Sequence, residues 1–158
     1  MSIFKDILNV LRREEDAAHL FKTPLTTVPG IGTGAAYASG DAFGTRMVFH
    51  VPVEGTISNV VFLDKDDEGF DKELVLFDRE FEQTADNSAF APTDSELQKC
   101  VGVCFIDQWS NFSANQIGQA FPALSYVAPE GILYAQIVTR GVDNIAADNI
   151  PQIYLVIV

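Results

Sequence analysis

The run Asp64-Lys65-Asp66-Asp67-Glu68-Gly69 sets oxygen ligands at alternate positions ahead of a glycine, which is how a calcium-binding loop begins. In the helical form of that loop, the bidentate glutamate belongs where this chain has Val75, inside the apolar stretch Glu73-Leu74-Val75-Leu76-Phe77. That rules out the helical form and leaves either a weaker β-loop calcium site or a solvated acidic turn. Gly30-Ile31-Gly32-Thr33-Gly34 resembles part of a phosphate-cradling loop, but such a loop needs a strand before it and a helix after it. Here Pro29 precedes it and further small residues follow.

Hydrolytic or transfer chemistry needs a nucleophile with a base, or paired carboxylates in a shielded site. The two histidines, His19 and His50, lie far apart in sequence, and neither Cys100 nor Cys104 has a histidine close by. No serine stands in a nucleophile-elbow pattern. No catalytic set, resident metal or cofactor is expected, and the chain does not read as an enzyme. Cys100 and Cys104, four apart in a strand-like segment, would face the same way at roughly 13 Å. That exceeds the roughly 7 Å Cα separation a disulfide tolerates, so both read as free thiols suited to a reducing cytoplasm. Trp109, among polar neighbours in Gln108-Trp109-Ser110-Asn111-Phe112, is either a loop anchor, a subunit contact or an aromatic platform for a glycan.

Charge narrows the partners. With 22 acidic against 10 basic residues the formal net charge is -12, which repels a phosphate backbone and argues against nucleic acid. Most of the acid lies between Asp64 and Glu96 and reads as a solvated face. The apolar N-terminal positions are interrupted by Lys5, Asp6, Arg12 and Arg13, unlike a secretory signal, and no run reaches the roughly 20 apolar residues of a membrane span.

The elements that would position these residues are mostly strands. A chain of 158 residues, 47% apolar and rich in Phe, Val and Ile, can bury one sizeable core. Phe4, Ile7, Leu8 and Leu11 fall at i, i+3, i+4, i+7 and predict an amphipathic helix over residues 1–22, its stripe continuing weakly to Phe21. Residues 23–40, with two prolines, several glycines and almost no charge, read as an extended linker arm. The helix therefore docks on its own domain, on a sister subunit or on another partner.

From residue 41 to 158 the period becomes two. Met47, Phe49, Val51 and Val53 alternate with Val48, His50 and Pro52, and further strands are expected at Ile57 to Asp64, Glu73 to Phe77, Val101 to Ile106, Ala123 to Val127, Gly131 to Thr139 and Ile153 to Val158. A second helix is possible within Asp94 to Lys99, of one or two turns at most, with Asp94 as its cap. About seven or eight short strands with turn residues between them indicate a mainly β, jelly-roll-like sandwich. The uncharged terminal strand reads as covered on both faces and central in its sheet, or buried at an interface.

From Tyr37-Ala38-Ser39-Gly40-Asp41-Ala42-Phe43-Gly44 onward the chain resembles tailed-bacteriophage capsid decoration, or cement, proteins. The similarity continues through Ile57 to Asp64, Glu73 to Phe77, Ala85-Asp86-Asn87-Ser88-Ala89-Phe90 with Asp94 beyond, and Leu133 to Gly141. The resemblance implies a homotrimeric virion protein on the outer capsid surface, assembled in the host cytoplasm, whose partner is the major capsid protein. Phe4, Ile7, Leu8, Leu11 and Phe21 are then the expected capsid or inter-subunit contacts. The competing expectation is a head-fibre or tail adhesin module that reads host-surface glycans through Trp109.

Overall fold

The computed structural model describes residues 3–7 and 20–158. Residues 3–7 are helical. Leu8, Leu11 and His19 lie outside the described residues.

Eleven strands follow: β1 (Phe21–Lys22), β2 (Thr26–Thr27), β3 (Ala42–His50), β4 (Glu54–Asp64), β5 (Lys72–Phe77), β6 (Cys100–Ile106), β7 (Gln108–Asn111), β8 (Gln116–Ala120), β9 (Leu124–Val127), β10 (Ile132–Thr139) and β11 (Gln152–Ile157). One sheet runs β1-β11-β4-β8-β7, with β2 also on β11 and β9 also on β4; the other runs β3-β10-β5-β6. Every pairing is antiparallel. The result is a mainly β sandwich.

Alternation decides what is buried. Phe43, Met47 and Phe49 of β3, Leu74 and Leu76 of β5, and Leu133 and Ile137 of β10 meet Val60 and Phe62 of β4 and Ile153, Leu155 and Ile157 of β11 in one core. Adjacent residues of one strand point to opposite faces, so β5 serves two layers. Its outward Val75 and Phe77 pack with Phe81 and Val138 under the long β5–β6 connection, where the Phe77 and Phe81 rings stack at 3.9 Å. That connection carries a short helix, Asp94–Leu97, capped by Thr93, whose hydroxyl accepts from the Glu96 amide.

The terminal strand is interior by position, flanked by β1 and β2 on one side and β4 on the other. Its outward residues Gln152, Tyr154 and Val156 are only half-buried, so its cover is thinner on that face than the sequence predicts. Phe21 does not extend the helical stripe; it opens β1, opposite Ile157. The expected arm is extended, yet it is not a free tether. Between Thr23 and Gly40 its amides bond successively to the carbonyls of Leu155, Pro151, Ile145, Asp143 and Thr139, so it runs antiparallel along the end of the chain. Thr23, Val28 and Tyr37 are buried there. Backbone bonds of this kind leave no hydrophobic period for the sequence to show.

Cys100 and Cys104 do not share a face. The β5–β6 register shifts between Leu76 and Phe77, which pair with Gly102 and Cys100. This extra residue in β6 inverts the alternation. Cys104 therefore enters the main core, while Cys100 joins the outer layer with Val103. Both thiols are free, and burial pushes Cys104 up to about 12.

Candidate contact surface and buried polar centre

Three segments converge at one place: the turn from Asp64 to Asp71, the arm from Gly30 to Gly40, and the connection from Arg140 to Pro151. Each is anchored by a carboxylate. Asp64 is buried; it accepts from the amides of Asp66 and Glu68 at 2.9 Å each, and from Gln116 Nε2 at 2.6 Å. The acidic run is thus a carboxylate-capped turn, not a wholly solvated face, and Asp64 has its lone pairs committed to the turn. Among the described residues, no three His, Cys, Asp or Glu side chains are grouped to hold a metal ion. Asp66 reaches across to the Ala146 amide and to Asn149 Nδ2.

Asp86 does the same for the arm. Its Oδ2 accepts from Gly32 N at 2.7 Å, and its Oδ1 accepts from Gly44 N at 2.6 Å and Tyr37 Oη at 2.8 Å. Burial, and then the Asp86 carboxylate it bonds, raise the Tyr37 phenol well above the ordinary tyrosine range. Gly44 must be glycine: its φ is 77°, and a Cβ there would lie 2.6 Å from both Pro29 O and Val28 Cγ1. Of the glycines read as a fragment of a phosphate loop, Gly32 donates its amide to the Asp86 carboxylate and Gly34 donates to the carbonyl of Ile145, so the loop serves the same chain.

Beneath these segments lies an ion pair that nothing in the sequence pattern flags. Lys72 opens β5 and pairs with Thr139 at the end of β10. Its Nζ lies 2.7 Å from Asp143 Oδ1, with both side chains 1% exposed, and also donates to Phe70 O at 2.7 Å. Asp143 Oδ2 accepts from the Thr139 hydroxyl, which in turn accepts from Gly141 N at 3.2 Å. Phe43, Phe62, Trp109 and Phe70 surround the nitrogen, their centroids 5.1, 5.9, 5.7 and 6.0 Å away. Desolvation pulls the Lys72 ammonium below the ordinary lysine range, opposed first by Asp143 and then by Asp64 and Asp71. Burial, followed by the Asp143, Asp64 and Asp66 carboxylates, raises Glu68.

Trp109 is one wall of this box. Its ring meets Phe62 edge-on at 6.1 Å and covers Gly118, where a Cβ would lie 2.6 Å from the indole, while Nε1 donates to Asp71 Oδ1 at 3.0 Å. Phe70 closes the opposite side over Gly141, whose hypothetical Cβ would fall 2.0 Å from Phe70 Cγ.

The outer surface carries apolar groups with no cover within the described residues. Ile3, Phe4 and Ile7 are 75%, 82% and 51% exposed on the helical residues, and Leu20 and Phe21 follow them. Phe105 and Phe121, 60% and 57% exposed, line an open groove with Val103, Ala120 and Pro122. The structure thus keeps the expected Phe4, Ile7 and Phe21 on the surface, with Phe21 in β1 and Trp109 in β7 at opposite ends of one sheet. The Phe105 and Phe121 pair was missed in the sequence, though Phe105, an outward Phe within β6, is a readable sign. No helix among the described residues is long and apolar enough to cross a membrane. No protein-family model matches the chain, and comparison with curated proteins and with solved structures finds no match.

Proposed function

We propose that this chain is a virion structural protein, a jelly-roll-like capsid decoration or cement subunit that binds the outer surface of an assembled shell. Its partner is the major capsid protein, and it self-associates as a homotrimer. The observation that carries this reading is the display of Ile3, Phe4 and Ile7 ahead of a body that has already closed its own core. Large apolar side chains left in water on a chain of this kind mark a surface meant to be covered. A protein that binds the assembled shell and not its separate parts adds its binding free energy to the assembled state. The motifs that carry the resemblance also build the body: Tyr37 and Gly44 meet at Asp86, and Gly141 seats Phe70.

The test uses the full chain with Ile3, Phe4 and Ile7 changed together to serine, mixed with undecorated shells and sedimented. Losing about 1.5 kcal/mol at each position weakens shell binding on the order of a thousandfold. The urea melt of the body stays unchanged, because these side chains are exposed and none belongs to either buried cluster. Wild-type decoration by the triple variant removes the contact role, and a monomeric mass in solution removes the homotrimer.

A further inference from the structure

The geometry points to a covalent bond: we propose that Lys72 and Asp143 condense to an intramolecular amide that locks β5 to the connection entering β11. This stands apart from the virion reading and needs no partner.

Amide formation between a lysine and a carboxylate is held back in water by solvation of both ions, by competing solvent and by loss of alignment. Each obstacle is lowered at this site. The two groups are already in contact at 2.7 Å, and both side chains are almost fully withdrawn from solvent. Four aromatic rings replace water around the nitrogen, which weakens the hold on charge and favours proton transfer from ammonium to carboxylate. Neutral amine and carboxylic acid then face each other.

The surrounding hydrogen bonds fit the remaining steps. The nitrogen lone pair attacks Asp143 Cγ, and negative charge develops on Oδ2. Thr139 is the positioning residue there: its hydroxyl accepts from Gly141 N, which turns its own hydrogen toward Oδ2. Of the three ammonium hydrogens, two move to Oδ1, the C–Oδ1 bond breaks, and one water leaves. The third stays on nitrogen and keeps its bond to Phe70 O, already 2.7 Å away. Oδ2 becomes the amide carbonyl oxygen. Nothing is oxidised or reduced, and no co-reactant enters. An amide also relieves the site of two buried charges, whose burial is costly even when paired.

Intact-mass spectrometry of the purified full chain, denatured after incubation at neutral pH, tests this directly. The expected mass is lower than that of the sequence by one water, and fragmentation recovers a branched peptide joining Lys72 to Asp143. Asp143→Asn is expected to lose one ammonia and reach the same final mass as the wild type, since the product is the same amide. Asp143→Ala and Lys72→Arg are expected at their full sequence masses, and Thr139→Val is expected to mature more slowly. A wild-type chain that stays at its full sequence mass overturns the proposal and leaves a plain ion pair. So does a water loss that maps elsewhere or survives in Asp143→Ala. Because the deciding mass is that of the wild-type chain itself, misfolding of a variant does not alter the outcome.

Discussion

Replacing Asp86 by alanine removes the acceptor of three donors at once: Gly32 N, Gly44 N and Tyr37 Oη. Tyr37 and Gly44 are buried and Gly32 is half-exposed, so water can rescue the last but not readily the first two. A buried donor left without a partner costs about 1–3 kcal/mol, which puts Asp86→Ala near 4 kcal/mol. For a domain of this size, where each kcal/mol is about 2–4 °C, that lowers Tm by roughly 8–16 °C. Asp86→Asn separates the two oxygens. Its carbonyl still serves Gly44 and Tyr37, while its amino group faces Gly32 N, so the loss is about 1–2 kcal/mol. Adding Tyr37→Phe to Asp86→Ala removes the stranded hydroxyl, and the double variant is less destabilised than the sum of the singles by about 1 kcal/mol. Urea unfolding followed by Trp109 fluorescence gives all four values. An Asp86→Ala cost below about 1 kcal/mol, or strict additivity with Tyr37→Phe, refutes the view that this carboxylate fastens the arm to the body.

Gly141→Ala forces a methyl into the Phe70 ring and opens the lid over Lys72, for about 1–3 kcal/mol of lost stability from overpacking; a thermal melt equal to the wild type disproves the lid. The thiols give a pH dependence. Cys104, pushed up to about 12 by burial, keeps its proton in the folded state through alkaline pH at which an exposed thiol releases it on unfolding. The folded state then holds more protons than the unfolded one, so stability falls as pH rises from the ordinary thiol range toward 12. Cys104→Ser flattens that slope, and native thiol titration at pH 8 registers Cys104 only after denaturation.

The β character was legible because β3, β10 and β11 alternate large apolar residues with others, and that period survives any detail of packing. β8 was not legible, for a physical reason. Its inward residues are Gln116, Gly118 and Ala120: one bonds Asp64, one makes room for Trp109, and none is a large apolar residue. The facing of the cysteines failed because a bulge, invisible in composition, inverts the alternation between Cys100 and Cys104. The arm could be read as extended but not as anchored, since its partners are carbonyls some hundred residues away or more. Acid clustered between Asp64 and Glu96 suggested a wet face; the structure spends Asp64, Asp66 and Asp86 on backbone amides instead. Lys72 and Asp143 are separated by 71 positions, and only the fold reveals that they meet.

Load applied to the N-terminal residues would follow a definite route. It enters at Phe21 and Lys22, held by only two register positions on β11, and is shared along the arm by the bonds from Thr23, Val28, Gly34, Tyr37 and Gly40 to the end of the chain. β11 passes it to β4 through a six-residue register and, through the connection preceding it, to Asp143. Hydrogen bonds in such a series open one after another, whereas a bond between Asp143 and Lys72 would carry the load directly into β5, at the centre of the other sheet beside β10 and β6. The polar centre therefore sits toward the far end of that series, where Tyr37 and Gly40 bond Asp143 and Thr139, and a Lys72–Asp143 amide would pass the remaining load to the other sheet. If the chain binds a shell through its first residues, as proposed, that junction has to outlast its contacts with the shell.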